Sequence, residues 1–389
     1  MSVNAQMPVY LDYNATTPVA PEVLAAMLPW LTEHFGNPSS DHVFGQRAAG
    51  AVCAARREIA DLIGATPAEI IFTGSATEAN NLAILGVARA LAGKKRHLVI
   101  SAIEHPAVVA PALRLQDEGW ALSVVAVDEF GRVDPLAVAA ALRPDTALVS
   151  IMHANNEVGT VQPIAEIAAL LKASGVLLHV DAAQSAGKLP VDVNALGADL
   201  LTLAGHKFYA PKGVGALYVR AATPIAAISA GAGQERGLRS GTESVPLIVA
   251  LGAAARLAKA RQTEAATRLR MLRDRLHERL LMETPGLQLN GHPEFRLPNT
   301  LHVSFPGVSG KALLAACADE VAASLGSACH AQGDALSGVL AAMGCDRARA
   351  VGAVRLSVGW NTSADEIDRA AAALIRARCR LVEGSPADR

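Results

Sequence analysis

Between about residue 50 and about residue 220, short apolar runs typical of strands alternate with segments that have the periodicity of helices. Strands and helices in alternation indicate a mostly parallel sheet with helices on both faces. Glycine and proline punctuate the stretches between the runs, as they do in connecting loops. The pattern predicts seven strands, at residues 70–72, 97–101, 122–127, 147–152, 176–180, 200–203 and 214–219.

The pattern changes beyond this region. Residues 248–283 predict one long helix, rich in Ala, Leu, Arg and Glu. After Pro285 the sequence predicts strands at 301–305, 320–324 and 353–358 and an amphipathic helix at 365–381. Because 389 residues are too many for one small core, we expect two domains. The large one spans residues 16–260, and residues 1–15 and 261–389 form a smaller α+β domain.

Composition excludes several classes of protein. A chain with 51% hydrophobic and 18% charged residues is compact rather than disordered. A formal net charge of -1 without a basic run argues against nucleic acid or an acidic membrane as partner. No apolar stretch reaches the roughly 18 residues of a membrane-spanning helix, and residues 1–8 do not resemble a secretory signal. We therefore expect a cytoplasmic protein.

The cysteines do not form a framework. There are five of them, an odd number, and no C-x-x-C pair occurs, which argues against disulfides and against a zinc site. We expect no metal site, and most of these cysteines are expected to be small buried residues. They are Cys53, Cys317, Cys329, Cys345 and Cys379.

The segment 71–81 (IFTGSATEANN) has the form of a phosphate-binding turn. A predicted strand ends, a turn of small residues follows, and a helix begins. The free backbone N–H groups at a helix start attract an anion, and threonine hydroxyls add donors. The alternative is an ordinary turn in which Ser75 or Thr77 caps the helix.

Two further candidates each follow a predicted strand. Asp181 ends one strand and is placed to pair with a pyridinium nitrogen, although this motif alone is better explained by a solvated Asp that caps the next helix. Lys207 follows another strand and is placed to form a Schiff base, although surface lysines are far commoner. A phosphate-binding turn, an acid and a lysine in this order are what a pyridoxal phosphate (PLP) site requires.

Seven motifs in one order give the chain a specific resemblance. It resembles the cysteine desulfurase and selenocysteine lyase family, within the class V aminotransferase fold, from about residue 10 to about residue 367. The resemblance implies the PLP-dependent transferase fold of type I, with the mostly parallel seven-stranded sheet in the large, PLP-binding domain. The motifs are residues 11–18 (LDYNATTP), 74–78 (GSATE), 153–159 (HANNEVG), 180–185 (VDAAQS), 205–207 (GHK), 239–243 (RSGTE) and 326–329 (GSAC).

The same resemblance implies how PLP is held. Lys207 would bind it as a Schiff base, Asp181 would pair with the pyridine nitrogen, and Gln184 would reach the ring hydroxyl. His105 would stack on the ring and move protons, unless it is only a loop histidine. The phosphate would be held by Ala76, through its backbone, and by Thr77 and His206.

The resemblance also implies a homodimer and a substrate site. Thr242 would reach the phosphate of the neighbouring subunit, unless it only caps a helix. Asn156 and Arg355 would hold the substrate carboxylate, with Asn156 also near the cofactor; an ion-pair role is the alternative for Arg355. Cys329, in the small domain, would be the reactive thiol, unless it is simply a buried cysteine.

The implied reaction removes sulfur or selenium from a small amino acid and leaves alanine. Lys207 would serve as the base, and adjacent His330 would favour the Cys329 thiolate. Ala204 stands where many desulfurases have serine, and His330 where they have serine or threonine. These departures, with residues 205–209 and 296–300, favour a selenocysteine lyase.

Two enzyme alternatives remain. The first is a cysteine desulfurase that supplies persulfide sulfur, through an acceptor protein, for Fe–S cluster or thio-cofactor assembly. The second is a class V aminotransferase, which Cys329 disfavours because transamination needs no thiol. A scaffold without activity is disfavoured because the implied site residues are all present.

Overall fold

The structure, a computed structural model, describes residues 7–326 and 337–383. Its strands are β1 (Val9–Tyr10), β2 (Ile70–Thr73), β3 (His97–Ser101), β4 (Ala121–Val125), β5 (Thr146–Met152), β6 (Leu177–Asp181), β7 (Leu200–Ala204), β8 (Gly215–Val219), β9 (Gln288–Asn290), β10 (Thr300–Ser304), β11 (Val321–Ala322) and β12 (Ala353–Ser357).

The helices are α1 (Pro21–Met27), α2 (Pro29–Thr32), α3 (Val43–Ile63), α4 (Ala76–Ala90), α5 (Pro106–Asp117), α6 (Pro135–Ala140), α7 (Ile164–Leu171), α8 (Val193–Leu196), α9 (Val245–Glu283), α10 (Gly310–Ala316), α11 (Gly338–Ala342), α12 (Arg347–Val351) and α13 (Ala364–Glu383). Short 3₁₀ turns lie at Pro67–Glu69, Gly205–Lys207 and Glu235–Gly237. No helix in the two described ranges is long and apolar enough to cross a lipid bilayer.

Seven strands form the main sheet, in the order β2-β8-β7-β6-β5-β3-β4. The pairs from β7 to β4 are parallel, and β8 runs antiparallel to both of its neighbours. These are the seven strands predicted from the apolar runs, with boundaries shifted by one or two residues. The predicted α/β fold with a mostly parallel seven-stranded sheet is confirmed.

Apolar side chains cover both faces of this sheet. In β3, Leu98 and Ile100 pack with α4 and α5, whereas Val99 belongs to the opposite cluster, which includes α3 and α9. Every residue of β5, an interior strand of the sheet, is buried. Burial on both faces explains why the strands read as continuous apolar runs instead of alternating ones.

A second cluster of buried side chains surrounds the antiparallel sheet β12-β10-β9. The 39-residue helix α9 contributes to the first cluster up to Ala258 and to this one from Leu269. Val9 and Leu11 from the chain start also join it, and β1 pairs in parallel with β11. The predicted domain boundaries stay a prediction. Strands β1 and β9, of two and three residues, are too short for sequence periodicity to reveal.

A buried carboxylate closes one edge of the main sheet. Glu235 accepts two hydrogen bonds from Arg56, at 2.6 and 2.8 Å, and one from the backbone N–H of Phe72 in the edge strand β2, at 2.7 Å. Glu235 and Arg236 both have positive φ, of 47° and 58°, a strained backbone that these contacts hold in place. Glu235 thereby anchors the segment that leads to Thr242 and satisfies a buried backbone donor on the outer side of the edge strand.

We expect Glu235→Ala to lower the free energy of unfolding by about 3 kcal/mol, because it leaves a partly buried guanidinium and a buried strand N–H without their acceptor. The urea midpoint measures the change. The matched control is Glu118→Ala, which breaks an exposed pair with Arg114 and is expected to change stability by no more than about 0.5 kcal/mol. Equal shifts in the two variants would contradict this role.

Candidate active site

A cavity of about 260 Å³ opens at the carboxyl ends of the parallel strands, where Met152, Asp181 and Ala204 end β5, β6 and β7. This edge is where open α/β sheets bind ligands. Nine of the residues predicted for the site line the cavity: Ala76, Thr77, His105, Asn156, Asp181, Gln184, His206, Lys207 and Arg355.

Lys207 follows β7 on a 3₁₀ turn and is partly buried. Its Nζ donates to the backbone oxygens of Asn14 at 2.6 Å and Ala15 at 2.8 Å. Burial, with a smaller contribution from the nearby Arg355 cation, lowers the pKa of this amine to about 8. A neutral amine is therefore accessible near physiological pH, as a nucleophilic lysine requires.

Asp181 is buried, not solvated. One carboxylate oxygen accepts from Asn80 Nδ2 at 2.7 Å, and the other accepts from the Ala183 N–H at 2.9 Å. The contact with the Ala183 N–H is the kind that a capping Asp makes, as the alternative interpretation of Asp181 expects. The side chain nevertheless also lines the cavity. These two donors fix the carboxylate, which has further lone pairs for a protonated ring nitrogen.

His105 is the N-cap of α5, and its Nδ1 accepts from the Ala107 N–H at 3.1 Å. Nδ1 therefore carries no proton, and the neutral ring has its proton on Nε2. Burial lowers the pKa of His105; Lys207 lowers it further, and Asp181 opposes the shift. A neutral, apolar-faced ring at the cavity wall is suited to contact a flat aromatic ligand.

The start of α4 forms the predicted phosphate-binding turn. Ser75 caps the helix and accepts from the Glu78 N–H at 3.1 Å, so the capping alternative is correct for Ser75. Among the described residues, no protein acceptor takes the N–H groups of Ala76 and Thr77. A Cβ on Gly215 of β8 would lie 3.0 Å from the Ala76 nitrogen, so glycine lets the strand approach this turn closely. The turn thus presents free donors at a helix N-terminus, which suit a phosphate.

His206 lies beside this turn and also lines the cavity. Its Nδ1 lies 3.1 Å from Thr16 Oγ1. Burial, with smaller contributions from Lys207, Lys212 and Lys188, lowers the pKa of His206 to about 4. The ring is therefore neutral near pH 7 and can contribute a hydrogen bond, but no charge, to an anion.

Arg355 enters the cavity from β12 and is buried. Its Nη2 pairs with Asp12 Oδ1 at 2.7 Å, and its Nη1 donates to the Asn156 backbone oxygen at 2.9 Å. The ion-pair alternative is therefore realised, with Asp12 as partner. Its Nε is buried and has no hydrogen-bond partner in the described part of the chain. Nη1 and Nη2 each make one of these bonds within the described residues and so each keeps a second N–H, which a substrate carboxylate could take.

Two predicted site residues are not brought to this cavity. Thr242 is exposed and does not line it, so its role toward a neighbouring subunit stays a prediction. Cys329 lies outside the described residues, as does His330. Gly326, three residues before Cys329 in the sequence, does line the cavity.

The structure adds residues to which the sequence interpretation gave no role. Asn14 provides the oxygen that Lys207 and Gln184 share, and Asn80 holds Asp181. Asn80 follows Thr77 by three residues in α4, so helical spacing could have placed both on one face. Lys188 follows Gln184 by four residues, but both lie in a turn, so no helical periodicity connects them.

Glu104 lies behind the cavity and is buried. Its Oε1 accepts from Ser101 Oγ at 2.5 Å and from the Met152 N–H at 2.9 Å. Burial, with a smaller contribution from the Asp181 charge, raises the pKa of this carboxyl to about 8, although the bonds from Ser101 and Met152 oppose the shift. Glu104 is therefore predominantly neutral at pH 7 and leaves Asp181 as the negative charge at this wall.

Comparison with known proteins assigns the chain to a protein family. The profile of the family described as Aminotransferase class-V matches residues 9–370. A curated relative, "Cysteine desulfurase IscS" of Anaeromyxobacter dehalogenans, is 47% identical over 368 residues, covering 94% of this chain and 91% of that protein. The chain belongs to the cysteine desulfurase family of class V aminotransferases.

Solved structures agree with this membership. A NifS-like protein matches with a TM-score of 0.90 at 38% identity, covering 96% of this chain and all of that one. The structure "SspA in complex with cysteine" matches with a TM-score of 0.81 at 38% identity, covering 90% of this chain and 98% of that one. The predicted family, fold type and enzyme class are confirmed, and with them the cofactor, PLP.

The residues of this cysteine desulfurase family member fit PLP. The free N–H groups of Ala76 and Thr77 match a phosphate, and the buried carboxylate of Asp181 matches a protonated pyridine nitrogen. The Lys207 amine, with its lowered pKa, matches an aldehyde carbon. Donor, acid and amine thus converge on one cavity, each suited to a different part of the cofactor.

Reconstitution of the apoprotein with PLP should therefore depend on pH. The ammonium form of Lys207 has no lone pair, so below its pKa of about 8 the reactive fraction falls, about tenfold per pH unit. The rate at which the absorbance band of bound cofactor appears should rise with pH and level off above about 8.5. Lys207→Ala should give no such band. Equal rates at pH 6.5 and pH 9 would contradict the lowered pKa.

Proposed function

We propose that this protein is a cysteine desulfurase, which removes sulfur from L-cysteine and leaves L-alanine. The observation that carries the proposal is the convergence of Lys207, Asp181 and Arg355 on one cavity. The first two suit PLP, and the third suits the carboxylate of an amino acid. The name of the Anaeromyxobacter relative and the cysteine bound by SspA support cysteine as the substrate.

This proposal replaces the preference for a selenocysteine lyase, which the comparisons do not support. That preference depended on Ala204 and His330, together with residues 205–209 and 296–300. Ala204 ends β7 immediately before the turn that carries His206 and Lys207. A methyl in place of a hydroxyl there removes one donor near the phosphate side of the site, which concerns cofactor binding rather than the choice between sulfur and selenium.

The side chains of the active site have different roles in the reaction. When bound, PLP supplies an electron sink for the bonds that break at the substrate α- and β-carbons. Asp181 holds a proton at the pyridine nitrogen, and Lys207 Nζ moves the proton of the substrate α-carbon. His105, with its proton on Nε2, contacts the ring and offers a second site of proton transfer.

Arg355 and Asn156 orient the substrate. A guanidinium binds a carboxylate through two parallel hydrogen bonds. Arg355 is already aligned by Asp12 and by the Asn156 backbone oxygen, so it does not have to be ordered when substrate enters. An amino acid held here has its α-amino group free to reach the cofactor.

Cys329 receives the sulfur in this proposal. Its thiolate attacks the substrate sulfur, an S–S bond forms, and the C–S bond breaks. The electron pair of that bond stays with the carbon skeleton, whose protonation gives alanine, and Cys329 is left as a persulfide. Gly326 lines the cavity. Cys329 follows it by three residues, and three residues of extended chain span at most about 10 Å, so the thiol is connected to the cavity wall by a short length of chain.

The persulfide needs an acceptor, so we infer a partner protein or small thiol that takes the sulfur from Cys329. We also retain the homodimer, in which Thr242 of each subunit would complete the phosphate site of the other. The exposure of Thr242 supports this arrangement. The cytoplasmic location stays a prediction.

Supplying cysteine and selenocysteine separately tests the substrate. We expect alanine from both, and from cysteine at a rate comparable to that from selenocysteine, with sulfide released under a reducing thiol. Cys329→Ala should reduce cysteine turnover to background. Cys379→Ala, which removes an exposed cysteine from α13, is the control and should keep full activity. Turnover of selenocysteine alone would favour the lyase instead.

Arg355→Lys tests the carboxylate site. A point-like ammonium cannot reproduce the two parallel hydrogen bonds, so kcat/KM for cysteine should fall about 30-fold, mainly through KM. Arg376→Lys, which alters an exposed ion pair with Glu320, should leave both constants unchanged. An unaltered KM in Arg355→Lys would show that the substrate carboxylate binds elsewhere.

A further inference from the structure

A second lysine lies buried beside the active-site lysine. Lys188 follows β6 in the turn that carries Gln184 and is 7% exposed. Its Nζ donates to Gln184 Oε1 at 2.9 Å and lies 3.4 Å from Asn14 Oδ1. In the described ranges no carboxylate forms an ion pair with it. Its only polar partners there are two amide oxygens.

Burial of a lysine side chain is unfavourable for stability when no counter-ion is present to pair with its protonated form. The charged groups that face Lys188 are Lys207, from the turn after β7, and Arg355, from β12, and both are cations. Together with burial they lower the pKa of Lys188 well below its usual value. Folding alone gives no reason for an amine at this point, since an apolar side chain would avoid the desolvation.

The contacts of Lys188 fix the orientation of the Gln184 amide. An amine that donates to Gln184 requires an oxygen there, and the Asn14 backbone oxygen requires a donor, which Gln184 Nε2 provides at 3.0 Å. Both contacts demand the same orientation. The second N–H of Nε2 has no protein acceptor among the described residues, and Gln184 lines the cavity.

We propose that Lys188 is a positioning residue that holds the Gln184 amide with its free N–H available to the ring hydroxyl of PLP. Without Lys188, only the Asn14 contact opposes rotation of the Gln184 amide, so the orientation that presents the amide oxygen becomes more populated. A hydrogen bond from Nε2 stabilises the anionic form of the ring oxygen, whereas an amide oxygen would destabilise it. The proposal depends on the PLP site alone and not on the identity of the substrate.

The test measures the pH midpoint at which the absorbance band of bound PLP changes in the holoenzyme. Lys188→Met keeps the length and removes the amine, and Gln184→Leu removes the amide. Each should raise the midpoint by about half to one pH unit, because the ring oxygen loses its donor. The control is Lys172→Met, which changes the exposed C-cap residue of α7 and should leave the midpoint unchanged.

The double variant decides how Lys188 acts. If Lys188 works through Gln184, the double variant has the midpoint of Gln184→Leu alone. Additive shifts would overturn the proposal, since they would show that the charge of Lys188 acts on the cofactor directly. An unchanged midpoint in Lys188→Met, beside a shift in Gln184→Leu, would overturn it too.

Lys188→Gln gives a second route if Lys188→Met does not fold, as judged by its melting temperature. This variant keeps a donor and lacks a charge, so the proposal expects a smaller shift than Gln184→Leu gives. A shift equal to that of Gln184→Leu would overturn the proposal. The absorbance band reports on the cofactor even if cysteine yields no alanine, so this test stays separate from that of the desulfurase activity.

Discussion

The contacts of Asn14 join the antiparallel sheet to the turns that carry the active-site side chains. Its backbone oxygen accepts from Lys207 and from Gln184, while its side chain binds Thr300 at 2.8 Å and Asn299 at 3.0 Å. Its backbone N–H donates to Ser357 Oγ at 2.9 Å. Asn14 is 1% exposed, so these bonds form away from water, where an unmade one is expensive. The position of Lys207 therefore depends on elements of both hydrophobic clusters.

The charged side chains that surround the active-site cavity are partly desolvated, and this shifts the pKa values of its lysines. The Arg355 cation lowers the pKa of both lysine amines, and Lys207 also lowers that of Lys188, while Asp12 and Asp181 oppose the effect on Lys207. A crowded, partly desolvated set of cations favours ligands with negative charge, and PLP phosphate and a substrate carboxylate both meet this condition. The same crowding keeps the Lys207 amine reactive. Cofactor affinity and lysine reactivity thus have one physical cause.

The sequence predicted the sheet and the residues that follow its strands, because both depend on local pattern. Asp181 and Lys207 are recognisable from the strands before them. Asn14, Asp12 and Lys188 were not assigned roles, because their function lies in contacts between distant parts of the chain. Asp12 meets Arg355 across 343 residues, and Asn14 meets Lys207 across 193. No periodicity encodes such pairs, although helical spacing would have connected Asn80 with Thr77.

The comparisons do not support the preference for selenium, and the fold gives a physical reason. Ala204 was compared with a motif serine that would donate to the phosphate, so its bearing on the substrate was only indirect. In the fold it adjoins the turn of His206, near the N-terminus of α4, whereas the substrate carboxylate is expected at Arg355 on β12. A change at the phosphate side alters how firmly PLP is held, and this affects a sulfur and a selenium substrate alike. Residues that distinguish the two must contact the β-substituent itself.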